Sequence, residues 1–454
     1  MLRFAFIHFL TLLIWLAAPP SVQATNAGEL SLTLGNAVQL ALRNNPDLAL
    51  VRNAKQAADI DQEKAQGNFL PTLQASGQAS QNWQQQSSPG IDHQSQELNL
   101  NLSANLNLFS GFADQAGVSA AEELSGAATD TLTRQQQTTA FDTLTNCVTL
   151  LVDRELVQVR ESALQTEQQL QQQIEAFYQA GSRAVTDLYR QQAATSQAEY
   201  DLLEARRNLQ VGELDLLQQL GMEPPVTVVL QAPNRFEILS PGQTLDLQAS
   251  YRLALQSRSD LLAQEKQLSA RRHQVRQARA GYLPSVDLYA TTGTGYSSLD
   301  EDSSFGNQLA EENGSATVGL SINIPIFDGD QTRTSVALAR ISQSDASFEL
   351  SKLRQQIGSE VGQSLADLQK ARQQARVAAS QLTYARQAWE AAQARYQVGS
   401  ATWVELSDAR TTLVEAQTAE VEARYAVLQQ NLTVGYMRGD LQQMLVLLAQ
   451  EETP

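Results

Sequence analysis

Two carboxylates late in the chain have a spacing that indicates a shared chemical role. Glu405 and Asp408 lie three residues apart near the start of a predicted helix, so both project from one face of it. If several copies of the chain surrounded one opening, these side chains would form an acidic ring that attracts cations. A structural alternative is a capping box, in which Thr402 and Glu405 close the start of the helix. For Asp408, and for Asp187 after an earlier turn, the alternative is a solvated helix face.

Patterns that would indicate catalysis are missing from the sequence. The histidines His8, His93 and His273 form no metal-ligand cluster, and there is no glycine-rich phosphate loop and no nucleophile elbow. We therefore predict a protein that is not an enzyme and holds no cofactor or metal, so that any energy must come from a partner. The formal net charge of −17 argues against nucleic acid as a partner. The lone Cys147 excludes an intrachain disulfide.

The segments that would position these carboxylates occur twice in the chain, as an internal repeat. The segment Tyr-Gln-Ala-Gly at 178–181 returns as Tyr-Gln-Val-Gly at 396–399, an offset of 399 − 181 = 218. The Phe-x-Gly segment at 109–111 returns at 327–329 with the same offset. A period this long means two copies of one structural unit.

Each copy contains a stretch with strand periodicity. Between 98 and 108 leucines and an alanine alternate with asparagines and a serine, and residues 318–326 repeat the alternation. This pattern matches a barrel strand with lipid on one side and water on the other, although a half-buried strand of a soluble β-sandwich would share it. Weaker partner strands complete one hairpin per copy, at about 70–109 and about 283–327.

Four strands are too few to close a barrel, because single-chain barrels start at about eight strands. Open sheet edges cannot lie in lipid, since their backbone groups would be unpaired. A membrane barrel must therefore be shared among several chains, whose number this argument does not fix.

The rest of each copy has the pattern of very long helices. Residues 114–178 and 331–397 contain no proline, and each stretch would span ~100 Å as a helix. Gly181 and Gly399 lie where these helices should end and turn, at about 179–186 and about 397–404. Shorter helices are predicted on either side, at 47–67, 186–220, 260–280 and 403–437. Coiled-coil packing is the usual reason for such lengths, and a rod-shaped coiled-coil dimer is the simplest alternative.

The chain divides around these copies. Residues 1–24 have the charged start, apolar core and small-residue cleavage site of a signal peptide, the alternative being a membrane anchor. Repeat 1 is predicted at 25–221 and repeat 2 at 246–439. The proline-containing linker 222–245 and the tail 440–454 are predicted to pack outside the helices at mid-height, as a belt.

Together these features resemble the TolC family of outer-membrane efflux proteins. The resemblance includes the Leu-Pro start of each hairpin at 70–71 and 283–284, the Phe-x-Gly ends, and the glycine turns followed by an acid. It implies a fold that is mainly α with a β-barrel part. In that fold a homotrimer forms an α-barrel continuous with a 12-stranded transmembrane β-barrel. The barrel would cross the outer membrane of a Gram-negative bacterium, in contact with its lipid, and the helices would extend into the periplasm.

The resemblance also implies a function. The trimer would be the passive exit duct of a tripartite efflux or type I secretion system, fed by a periplasmic adaptor (membrane fusion protein) and an inner-membrane ABC or RND pump. The alternatives are a structural periplasmic coiled-coil adaptor protein and a general diffusion porin, which needs many more strands in one chain.

The family's periplasmic gate can be carried over to particular residues. Glu405 and Asp408 match the pair of acids that ring the constriction, and Asp187 matches the acid after the first turn. Tyr396 matches an aromatic residue that bonds across to that acid, and Thr186 matches a further bonding partner.

One position departs from the family pattern. Ala401 stands where the best-known members carry an arginine that locks the gate. Arg183, in the first turn, is the candidate to replace it from the other side.

Overall fold

The computed structural model describes residues 29–85, 92–224, 226–231, 246–300 and 303–441. The predicted signal peptide lies outside these residues, as do most of the predicted linker and nearly all of the tail.

Two long helices, each preceded by a hairpin and followed by a return helix, form most of the structure. The first part of the chain contains β1 Glu29–Leu32, α1 Leu34–Asn44, α2 Pro46–Gly67, β2 Thr72–Gln85, β3 Asp92–Phe109, α3 Ala113–Gln179 and α4 Val185–Gln219. The second part contains β4 Thr227–Leu230, α5 Leu247–Ser257, α6 Ser259–Arg279, β5 Ser285–Ser297, the single turn α7 Phe305–Asn307, β6 Ser315–Asn323, α8 Gln331–Gln397 and α9 Trp403–Arg438. Helices α3 and α8 have 67 residues each and span ~100 Å. The predicted helices are thereby confirmed.

The two hairpins form one antiparallel sheet in the order β2-β3-β5-β6. Leu98 pairs with Tyr296 and Leu106 with Leu288, so the apolar face of β3 continues onto β5. On the opposite, polar face the ring of Tyr289 covers Gly319, where an added Cβ would lie 2.4 Å from the ring. Strands β2 and β6 are the free edges of this sheet.

The last strand is shorter than the alternation predicts. The predicted strand runs to residue 326, but β6 ends at Asn323. Pro325 has no backbone N–H to donate to a neighbouring strand, so the ladder stops before it. The alternation of side chains thus predicted the presence of this strand correctly, but it placed the end of the strand too late in the sequence.

The helices form a wall that is one layer thick. Next to the sheet the order is α2–α3–α6–α8, and toward the opposite end it is α4–α3–α9–α8. Helix α8 is therefore one edge along the whole wall, and α2 and α4 form the other edge. The wall edge formed by α2 and α4 and the sheet edge β2 both belong to repeat 1. The wall edge α8 and the sheet edge β6 both belong to repeat 2.

Backbone conformations repeat with the sequence period. Glycines with positive φ occur in three pairs that share the offset of the repeat: 111 and 329, 181 and 399, 221 and 439. Close contact explains the third pair, which the sequence analysis did not single out. A Cβ at Gly221 would lie 2.4 Å from the Asn44 carbonyl oxygen, and one at Gly439 would lie 3.0 Å from the Ser257 backbone.

The largest apolar core lies at mid-height, around the middle of α3. It brings together residues of α1, α3, α4 and α9, including Leu144, Leu216 and Tyr425, which are all at most 1% exposed. Strands β1 and β4 pair in parallel beside it, and their Leu32 and Leu230 enter the core. The described part of the predicted belt thus contains a strand that the sequence analysis missed.

Candidate functional site

The site predicted from the sequence lies at the two helix turns farthest from the sheet. Both turns have the same hydrogen bonds. Ser182 N donates to Phe177 O at 2.9 Å and Ser400 N donates to Arg395 O at 2.8 Å, while Gly181 and Gly399 have φ of +70° and +77°. This is the Schellman arrangement, which needs a left-handed residue and so favours glycine. The turns that Gly181 and Gly399 predict are therefore present.

The start of α9 fixes Glu405. Thr402 is the N-cap residue, and its Oγ1 accepts from the Glu405 backbone N at 3.2 Å, so the threonine half of a capping box is formed. The Glu405 carboxylate lies 3.4 Å from Nη2 of Arg395 on the preceding helix. Both side chains are about half exposed, so this pair contributes little to stability.

The other predicted residues differ in exposure. Asp408 and Thr186 are exposed, and Asp408 makes no ion pair with another described residue. Asp187 is half-buried and close enough to Tyr396 to act on the pKa of that phenol, which burial raises most, the charge of Arg183 lowers and the charge of Asp187 raises. One chain therefore brings Asp187 toward Tyr396 and leaves the Asp408 carboxylate in solvent.

Arg183 joins the two turns. Its Nη2 donates to the Tyr396 carbonyl oxygen at 3.3 Å, and its guanidinium lies 4.5 Å from the centre of the Tyr396 ring. Such cation–π contacts contribute roughly 0.5–1 kcal/mol at exposed sites. Ala401 is buried in the second turn and offers no polar group.

The hydroxyl of Tyr396 lacks the bond that the family pattern implies. Tyr396 is 3% exposed, and its hydroxyl has no hydrogen-bond partner among the described residues. An unpaired buried polar group costs about 1–3 kcal/mol.

Tyr396→Phe is therefore expected to raise the free energy of unfolding by about 1 kcal/mol, because the ring stays under Arg183 while the unpaired hydroxyl is removed. Chemical denaturation followed by circular dichroism checks this. A loss of stability would mean that the hydroxyl has a partner in the assembled protein, with Asp187 the first to test by Asp187→Asn.

A buried polar group that was not predicted from the sequence lies above these turns. Positions 406, 410, 413 and 416 form the buried face of the first half of α9, and Arg410 is the one charged residue among them, at 5% exposure. A charged residue in the apolar stripe of a coiled coil is the signal that could have found it.

Within the described ranges, no three His, Cys, Asp or Glu side chains are grouped so that they could hold a metal ion. Over the same ranges, no helix combines the length and apolarity needed to cross a membrane.

Solved structures share this architecture. CusC superposes with a TM-score of 0.79 at 21% identity, covering 92% of this chain and 95% of that one. The CmeC outer membrane channel of Campylobacter jejuni also gives 0.79, at 17% identity, covering 92% of this chain and 89% of that one. The fold is therefore that of outer-membrane channels.

The family follows from the sequence. The family model described as outer membrane efflux protein matches residues 37–222 and 250–438. The chain belongs to this family.

Curated relatives agree with that assignment. The outer membrane efflux protein BepC of Brucella suis biovar 1 is 24% identical over 360 residues, which cover 78% of this chain and 74% of BepC. The outer membrane protein TolC of Escherichia coli is 26% identical over 319 residues, which cover 69% of this chain and 63% of TolC. The proteases secretion protein PrtF of Dickeya chrysanthemi is 27% identical over a shorter stretch, 37% of this chain and 36% of PrtF. The protein is an outer-membrane exit duct whose helices lie in the periplasm.

Proposed function

We propose that three copies of this chain form a passive duct through the outer membrane, driven by an inner-membrane pump. The observation that carries the proposal is the match between the open edges of the sheet and of the helical wall. Sheet edge β2 and wall edges α2 and α4 belong to one repeat, whereas β6 and α8 belong to the other. A neighbouring copy can therefore continue the sheet and the wall together, and repetition of that contact closes a ring.

Side chains on the two wall edges support this contact. Leu338, Ile341 and Phe348 form one exposed stripe on α8, at 60%, 58% and 71% exposure. On α2, Leu50 and Ile60 are 66% and 54% exposed. Large exposed apolar stripes are typical of surfaces that a partner covers.

The spacing of these side chains from the sheet is matched. Ile60 precedes the end of α2 by as many positions as Leu338 follows the start of α8, since 67 − 60 = 338 − 331. Leu50 and Phe348 are likewise equally far from the same two ends, since 67 − 50 = 348 − 331. Because the rise per residue is constant, α2 of one copy and α8 of the next would align Ile60 with Leu338 and Leu50 with Phe348.

Three copies would supply 12 strands, which is within the range of known outer-membrane barrels. The apolar faces of β3 and β5 would then face lipid, and the asparagine-rich faces would line the channel. A periplasmic coiled-coil adaptor, the alternative function, would have no use for such a sheet.

The far ends of the helix pairs suit a protein partner. Exposed apolar side chains lie on both turns, with Val398 79%, Val404 48% and Phe177 38% exposed. We assign this end to the periplasmic adaptor, which would connect the duct to an ABC or RND pump. The pump would supply the energy, since the chain has no phosphate-binding loop.

The same end would form the gate. In a trimer, Glu405 and Asp408 would place six carboxylates around one opening, with Asp187 and Thr186 beside them. Arg183 would link the first turn to the second through Tyr396. It would thereby lock the gate, which Ala401 cannot do because it has no polar side chain.

The purified full-length protein is expected to conduct ions in a planar bilayer and to be blocked by multivalent cations from the helical side. Replacing Glu405 and Asp408 with alanine should remove the block, because the carboxylates that attract the cations are gone. The matched control is Glu415→Ala with Glu422→Ala, which removes two exposed acids of α9 farther from the turn. A gate double variant that is blocked like the wild type would place the constriction elsewhere, and a protein without conductance would contradict the duct itself.

A further inference from the structure

A buried polar network joins the two helix pairs of one chain above the turns. Gln191 of α4 is 2% exposed, and its Nε2 donates to Oε2 of Glu167 on α3 at 2.7 Å. Its Oε1 accepts from Nε1 of Trp403 on α9 at 3.0 Å. One amide thus links a helix of its own pair to a helix of the other pair.

Arg410 of α9 makes a second link at the same level. Its Nη2 donates to the carbonyl oxygen of Ala163 on α3 at 2.6 Å, and its Nε lies 3.9 Å from Oε1 of Glu167. The guanidinium lies 5.5 Å from the centre of the Trp389 ring. Burial lowers the pKa of Arg410, and the charge of Glu167 acts in the opposite direction.

The position of this network distinguishes it from the other polar links between the pairs. Nearer mid-height, the Tyr425 hydroxyl donates to Oε1 of Glu155 at 2.6 Å, beside the large apolar core. At the free ends, the partly exposed Arg183 donates to the Tyr396 carbonyl. The network lies between these two levels, beside a smaller apolar cluster that includes Leu170 of α3, Leu188 of α4 and Leu406 of α9.

Separation of the pairs would break the links that cross from one pair to the other, namely those of Trp403 to Gln191 and of Arg410 to α3. Gln191 and Arg410 are buried, and a buried donor or acceptor that loses its partner carries the whole penalty of its lost hydration. Gln191 would keep Glu167 but lose its bond from Trp403, and Arg410 would lose both the Ala163 carbonyl and the nearby charge of Glu167. Buried groups of this kind favour one arrangement of two packed elements over others.

We propose that Glu167, Gln191, Trp403 and Arg410 form a pin between the helix pairs that sets how far their free ends separate, and therefore how wide the duct opens. The inference rests on the proposed function, because only a ring of such pairs has an opening to set. The circumference of the ring at its free end is the sum of the helix widths and the gaps between pairs. Releasing the pin widens the gap within each chain and so widens the opening.

Single-channel recording of the full-length protein in planar bilayers tests the pin. Gln191→Leu keeps a side chain of similar size while it removes the links to Glu167 and Trp403. Trp403→Phe keeps an aromatic ring and removes the indole N–H, and it decides the question if Gln191→Leu fails to assemble. Both variants remove the neutral hydrogen bond between the pairs, from Trp403 to Gln191, and its loss should raise the open fraction about fivefold, with the trimer retained.

The control variant is Glu161→Gln with Arg206→Gln. It breaks an exposed ion pair of 2.8 Å between α3 and α4, within one helix pair, and should conduct like the wild type. Pin variants that form trimers and conduct with the wild-type open fraction would overturn the pin while leaving the duct intact. A wild-type protein that forms no pore would overturn the proposed function and the pin with it.

Discussion

Replacing Asp260 with alanine is expected to destabilise the protein by about 1.5–3 kcal/mol, because the buried guanidinium of Arg258 loses two charge-assisted hydrogen bonds while it retains Glu360. The Arg258 side chain is 3% exposed. Its Nη2 and Nε donate to the two oxygens of Asp260 at 2.6 and 3.0 Å, and its Nη1 donates to Glu360 at 2.5 Å. Arg258 joins α5 to α6 and holds both to α8. Loss of its bonds to Asp260 should therefore loosen the wall where the second repeat begins.

The same cluster predicts a dependence on pH. Burial alone would raise the pKa of Asp260, but the hydrogen bonds from Arg258 and the charges of Arg258 and Arg134 lower it below its ordinary 3.8. A carboxyl group whose pKa is lower in the folded state stabilises the fold above its ordinary pKa. That contribution is lost as the pH falls from 3.8 through the folded-state value. Asp260→Ala should therefore differ most from the wild type at neutral pH and least in strong acid.

The matched control lies on the same helix. Glu265 of α6 pairs with Arg354 of α8 at 2.7 Å, but both side chains are nearly half exposed, at 43% and 49%. Glu265→Ala should cost less than about 1 kcal/mol. Denaturant unfolding monitored by circular dichroism compares the two variants, and equal losses would mean that the Arg258 cluster is no stronger than a surface pair.

Phe348→Glu is expected to prevent assembly. In the proposed seam each interface loses the burial of one phenylalanine, about 1.5–3 kcal/mol, and gains a carboxylate in an apolar contact. A ring of three copies repeats that loss at all three seams. Analytical ultracentrifugation in detergent should show mostly monomers for the variant and trimers for the wild type.

Ser347→Glu serves as the control for this variant. It adds the same charge at the neighbouring exposed position of α8, which lies on a different face from the stripe formed by Leu338, Ile341 and Phe348. It should assemble like the wild type. If Phe348→Glu also forms trimers, α8 does not meet α2 of a neighbour at this point.

The sequence was sufficient for features that depend on local pattern. Helices α3 and α8 begin and end within one residue of the predicted bounds, because no proline interrupts them and a left-handed glycine ends each. The alternation in β3 identified its apolar face, since side chains alternate between the two faces of any strand.

Features that depend on distant parts of the chain were not predictable in this way. Gln191 meets Trp403 across 212 residues, and Arg258 meets Glu360 across 102. No local pattern shows that an arginine such as Arg410 will be buried rather than solvated. The gate also depends on distant contacts, in this case contacts between chains. Glu405 and Asp408 lie on one face of α9 in a single chain, and only neighbouring chains would arrange them as a ring, so the gate remains a prediction.

The mass of the detergent-solubilised, channel-active protein tests the central claim most directly. We predict one species of three chains, determined by light scattering with the detergent contribution subtracted, and conductance from that species in planar bilayers. A monomer that conducts ions by itself would contradict the account, because a four-stranded sheet could not then have sealed the pore.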